Sequence, residues 1–199
     1  MDREYRRRDV GRRRVLELGA CAGLLGFGRD AVAAVASISD AAAAAPKGAI
    51  GDFDFQVGRW SVRHHARSAA SGKWDDFSGE VSMRKILGGS GNLEEHQWTR
   101  GGQSHHAVGV RAFDPEPRQW LIYWLDSRWP SAVGNPVVGG FEGARGTFYS
   151  DDDVNGRPVR ARYLWMVDGA DACRWEQATS EDGGKSWDTS WRMAFTRLA

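Results

Sequence analysis

The sequence predicts an all-β domain, an antiparallel up-and-down barrel of about eight to ten strands. Ten tryptophans stand at positions 60, 74, 98, 120, 124, 129, 165, 175, 187 and 191, and none lies in a stretch of helical periodicity. Apolar and polar residues instead alternate in short runs, the pattern of strands with one buried face. No interval between runs is long enough for a crossover helix, so the connections are hairpins. A sheet of so many strands must close or split into two, because open edges invite aggregation.

The runs follow in order as Trp60–His64, Phe77–Met83, His106–Ala112, Trp120–Trp124, Val159–Trp165, Trp175–Thr179 and Trp191–Phe195. A further strand carries Glu94 and Glu95. Turn chemistry separates them at Leu87–Asn92, Gly101-Gly102, Asp114–Pro117, Asn155-Gly156 and Asp182–Gly184. Period two then assigns faces: an inward Trp60 carries His64 inward, and Asp126 continues the face of Trp120, Ile122 and Trp124.

Residues 1–45 read as an export signal rather than as fold, a disordered or helical segment. Arg12-Arg13-Arg14-Val15-Leu16 precedes a mild apolar stretch to Phe27, which resembles a twin-arginine signal. The Ala-rich run offers cleavage after Ala36 or, preferably, after Ala45, which leaves 46–51 as a short flexible linker and 52–199 as the domain. The expected location is periplasmic or secreted. Leu18-Gly19-Ala20-Cys21 looks like a lipoprotein box but lies too close to the arginines for an apolar segment to precede it. Without Cys21 the mature chain keeps one thiol, Cys173, which can form no internal disulfide and reads as a small buried side chain.

From Ile50 onward there are 18 Lys plus Arg and 20 Asp plus Glu, a net charge of −2. No basic surplus argues for nucleic acid, and nothing approaches the roughly 20 apolar residues of a membrane span. The oligomeric state is left open.

Phe53–Trp60, Phe113-Asp114-Pro115 with Trp120–Ser127, and Arg174–Gln177 with Ser180–Gly184 and Trp187 resemble a family of small bacterial proteins of unknown function. That family is similar to the calycin superfamily of lipocalins and fatty-acid-binding proteins. The resemblance covers residues 52–197 and implies a lipocalin-like barrel with a central cavity, and no established activity. It also implies that Gly58-x-Trp60 and Arg197 meet as structural residues, the guanidinium lying over the indole to seal one mouth.

Several motifs have simpler explanations. Asp151–Gly156 matches half of a calcium loop, but the residue needed as bidentate Glu is Arg162, and Asn-Gly is a preferred hairpin turn. Ser180–Trp187 resembles the Asp-box of propeller proteins, a structural hairpin there, and occurs once. His64, His106 and His96 would offer zinc or haem ligands, yet haem-binding calycins place their proximal His late and no His follows 106. No metal or other cofactor is expected. Gly88–Asn92 misses the Gly-x-Ser-x-Gly elbow at its last position.

The leading expectation is a barrel that binds a small apolar or aromatic molecule. Trp124, Trp165, Trp175 and Trp191 would wall the cavity, and Gln177, His64 and His106 would orient the guest. A second reading is a cofactor-independent isomerase, cyclase or hydrolase. It would use Asp126 or Glu95 as a catalytic acid or base, its pKa raised by desolvation. A third is a structural or partner-binding envelope protein with a solid interior. The leader has its own test: replacing Arg12 and Arg13 by lysine should trap unprocessed precursor inside the cell, and unchanged export would remove the twin-arginine reading.

Overall fold

A closed ten-stranded meander follows from the alternating runs, each strand hydrogen-bonded to its neighbours in sequence and the last to the first. The computed structural model describes residues 45–199 except Asn155, so the expected signal segment lies almost wholly outside the described residues. The strands are β1 (Gly58–Arg67), β2 (Trp74–Ile86), β3 (Gly91–Arg100), β4 (Gln103–Asp114) and β5 (Gln119–Asp126). They continue as β6 (Val137–Glu142), β7 (Arg145–Val154), β8 (Arg157–Val167), β9 (Ala172–Ser180) and β10 (Asp188–Arg197). All pairs are antiparallel, as a lipocalin-like barrel requires.

The weakest seam joins β5 to β6, where only Trp120, Leu121 and Ile122 find partners. Strand β6, with its two glycines and only six residues, shows little alternation, and the sequence runs pass over it.

Closure brings Trp60 of β1 opposite Arg197 of β10 in register. The Arg197 guanidinium lies 4.2 Å over the Trp60 ring. It also donates to the Val57 and Phe55 carbonyls at 2.8 and 2.6 Å and to Ala170 at 3.0 Å. Gly58 holds φ at +119°, a region closed to other residues, and an added Cβ would meet Arg197 Nη1 at 2.9 Å. Glycine here lets the chain turn into β1 beneath the guanidinium.

A short 3-10 turn, Asp54–Gln56, precedes β1 and plugs this mouth. Phe53 is buried there, packed edge-on against Trp120, Phe141 and Trp165 at 5.0–6.0 Å between ring centres. Such edge-to-face pairs each contribute about 0.5–1.5 kcal/mol beyond area burial. The segment expected as a flexible linker, 46–51, is instead tied to the barrel. Gly48 N–H donates to Arg118 O at 2.7 Å, and the Trp120 indole N–H donates to Ala49 O at 3.0 Å.

The hairpin between β9 and β10 is the Asp-box-like turn. Asp182 accepts from the Lys185 and Ser186 amides and from two serine hydroxyls, which holds its carboxyl well below the usual range. Trp187 lies beneath the Arg162 guanidinium at 4.2 Å. The loop has its partners within itself and needs no ligand to explain it.

Arg197→Ala removes three charge-assisted hydrogen bonds and a cation–π contact from one seam, and should cost about 3 kcal/mol in urea unfolding. A loss below about 1 kcal/mol would show that the plug holds without its clasp.

Candidate functional site

Inside the barrel, away from the plug, lies a cavity of about 80 Å³. Its walls are Trp98, Trp124, Trp165, Trp175 and Trp191, with Ile122, Val137, Tyr163 and Met193 between them. Its polar groups are His64, Glu94, His96, Arg111 and Gln177. The strands deliver these side chains because alternate residues of β1, β3, β4, β5, β8, β9 and β10, together with Val137 at the start of β6, point to the axis.

Glu94 and Arg111 form a buried ion pair in which Arg111 Nη2 donates to Glu94 Oε2. Gln56 of the plug donates from Nε2 to Glu94 Oε1 at 2.7 Å and accepts from Arg111 Nη1 at 2.8 Å. The guanidinium also lies over two rings, 4.2 Å from the centre of Phe53 and 5.3 Å from that of Trp165. Burial pulls the Arg111 pKa down to about 9, so it remains charged at neutral pH. The carboxylate and guanidinium thus cancel within one hydrogen-bonded cluster.

Both inward histidines are neutral. Burial lowers the His64 pKa to about 3, with the neighbouring His96 and Arg100 adding to the effect. The same desolvation lowers His96 to about 3, against a smaller opposing pull from Asp126. His64 Nδ1 accepts from the Trp191 indole N–H at 3.2 Å, and its ring stacks on Phe77 at 4.5 Å. His96 Nε2 lies 3.0 Å from Glu94 Oε1 but is not aligned for a hydrogen bond, which leaves it a buried polar atom without a partner. Its ring meets Trp124 edge-on at 4.9 Å.

The residues expected as ligand contacts divide. Trp124, Trp165, Trp175, Gln177, Trp191 and His64 all line the cavity. His106 does not, because it is exposed on the outer face of β4. The cause is the inner face of that strand, Ala107, Gly109 and Arg111, all buried. Its small residues leave room, since a Cβ on Gly109 would come within 3.2 Å of Glu94 Oε2 and 3.7 Å of Trp124 Cε3. The larger Val108 and Val110 face outward, and taking them for core inverted the strand.

Neither expected catalytic carboxylate reaches the cavity. Glu95 is exposed and pairs in register with outward Val108. Its neighbour Glu94 is the inward one. Asp126 is buried on the Trp120–Trp124 face as expected, but Arg128 engages both its oxygens at 2.9 and 3.0 Å. That guanidinium in turn lies 5.0 Å from Trp98 and 4.5 Å from Trp129, forming part of the rim.

Sequence reasoning missed Gln56, Glu94, Trp98 and Arg111. An Arg at the end of a run of small alternating residues, Ala107-x-Gly109-x-Arg111, was the available sign of a crowded inner face. Cys173 is buried, as expected, and burial pushes its thiol up to about 12, so it is inert. Among the described residues no group of three or more His, Cys, Asp and Glu side chains is placed to hold a metal ion. Among the same residues no helix is long and apolar enough to cross a membrane.

No family model and no curated protein matches this chain. Several solved structures are faintly similar. EF1p2_mFAP2b bound to DFHBI is 11% identical over 75% of this chain and 98% of its own, with a TM-score of 0.41. The S-type phycobiliprotein lyase of Guillardia theta is 10% identical over 74% and 90%, with a TM-score of 0.45. A Nostoc punctiforme protein of unknown function from the DUF3598 family is 10% identical over 79% of this chain, TM-score 0.38, and this chain spans about half of its length, 51%.

Arg111→Met should cost about 3–5 kcal/mol, because it strands a buried carboxylate, and Glu94→Leu should cost a similar amount. The double variant should be more stable than either single one in urea unfolding. Additive losses would mean that the two groups act separately.

Proposed function

We propose that this protein is an exported barrel that binds one small, flat, apolar or aromatic molecule among its tryptophans. The observation that carries the reading is a cavity walled by five indoles in a barrel whose other end is filled by its own plug. Rigid aromatic walls supply contact area at low entropic cost, and a few polar groups set orientation. Export rests on the twin-arginine-like leader, with the periplasm or the medium as the site of action.

The volume constrains the guest. At about 80 Å³ the space is well below the ~300 Å³ of a drug-sized pocket. Trp124 and Trp175 are only half-buried and mark where the cavity meets solvent. A ring-sized guest enters by turning one of them aside. The enzyme reading has less support, because Glu94, the carboxylate in the cavity, is committed to Arg111 and Gln56.

Titration with indole, a neutral aromatic, should give saturable quenching or a shift of the intrinsic tryptophan fluorescence. Ile122→Trp, which fills the space, should abolish that response while leaving the circular dichroism unchanged. A barrel that ignores the probe, or a filled variant that responds equally, would favour a solid structural protein.

A further inference from the structure

Every charge that reaches the cavity is already balanced within the protein. Glu94 is paired with Arg111, and Asp126 beyond the wall is paired with Arg128. His64 is neutral and its Nδ1 is occupied by Trp191. A charged guest would therefore bring an unpaired ion into an enclosure of tryptophans, losing its hydration without gaining a counter-ion. An anion would have to pull Arg111 away from Glu94, and a cation the reverse.

Two of the groups lining the cavity keep a buried nitrogen without a hydrogen bond: Arg111 Nε, within its ion pair, and His96 Nε2. His96 Nε2 is buried and makes no hydrogen bond, although Glu94 Oε1 lies 3.0 Å away, and its ring meets Trp124 edge-on at the wall of the cavity. A neutral imidazole offers one N–H and one lone pair. A hydroxyl, which both donates and accepts, satisfies whichever of the two faces the space. A buried polar atom left unbonded is costly, so a guest that supplies the missing bond gains over one that does not.

We infer that the cavity selects an uncharged aromatic alcohol, a phenol in the simplest case, whose ring lies among the tryptophans and whose hydroxyl bonds to His96. This inference rests on the binding reading above and narrows it to a chemical class. The hydroxyl sets the pose: oxygen towards β3 and the plug, ring edge towards Trp175 and the solvent side.

The test compares four ligands of equal ring size by calorimetric titration: phenol, benzene, benzoate and benzylammonium. Phenol should bind at least tenfold more tightly than benzene and than either ion. His96→Phe should bring phenol down to the benzene affinity without changing benzene itself. If that variant fails to fold, the four wild-type affinities decide alone. Benzoate binding better than phenol would overturn the inference in favour of an anion site at Arg111. Phenol and benzene binding equally would overturn the hydroxyl contact and leave the binding barrel standing. Binding of none of the four would remove both.

Discussion

Arg111 ties the molecule together. It is a single buried guanidinium that reaches Glu94 on the neighbouring strand, Gln56 on the plug and the faces of Phe53 and Trp165 at once. Without the plug, this cation would face an open barrel mouth. Without the cation, Gln56 and Glu94 would be buried with their hydrogen bonds unmade, at a cost of about 1–3 kcal/mol for each polar group. The same contact fixes where the solid half of the barrel stops and the hollow half begins.

The two halves differ for a reason visible in residue sizes. At the plug end Phe53, Phe141, Phe148, Trp120, Trp165 and Phe195 meet ring against ring and fill the section. Towards the other end the inward positions on β4 shrink to Ala107 and Gly109, while their neighbours on β3 and β5 are charged, imidazole or indole groups that cannot all pack at hydrocarbon density. The space left among Glu94, His96 and Trp124 is the remainder of that mismatch. A barrel built only for stability would have closed it with branched aliphatic residues.

The architecture was legible because it depends on period and punctuation, both local. Trp60, Val62 and His64 share one face, and the breaks at Gly101-Gly102 and Asp182–Gly184 divide the strands in the structure. The meeting of Gly58, Trp60 and Arg197 was legible only through resemblance, since no local pattern joins residues at opposite ends of a domain. The interior of the site was harder. Period two says that Glu94 and Glu95 face opposite ways but not which faces in, and the answer depends on the register of β3 against β4. On β4 the apparent core residues, Val108 and Val110, point outward because small inner residues were needed beside Glu94. Hydrophobicity misleads where a strand must make room for a polar cluster. Gln56 escaped notice because a plug belongs to no strand and obeys no alternation.

The carboxylates decide between binding and catalysis. A general acid or base must be able to exchange a proton with its substrate, and a carboxylate whose two oxygens are both engaged by neighbouring donors offers no free oxygen for that exchange. Glu94 is held in this way, and so is Asp126 by the two-pronged grip of Arg128. The imidazoles are depressed in pKa by burial and so make poor bases near neutrality. What remains is an interior that is polar in places, electrically balanced throughout and reluctant to move protons. Such an interior suits the proposed binding of a neutral molecule better than the proton transfers that the enzyme reading requires.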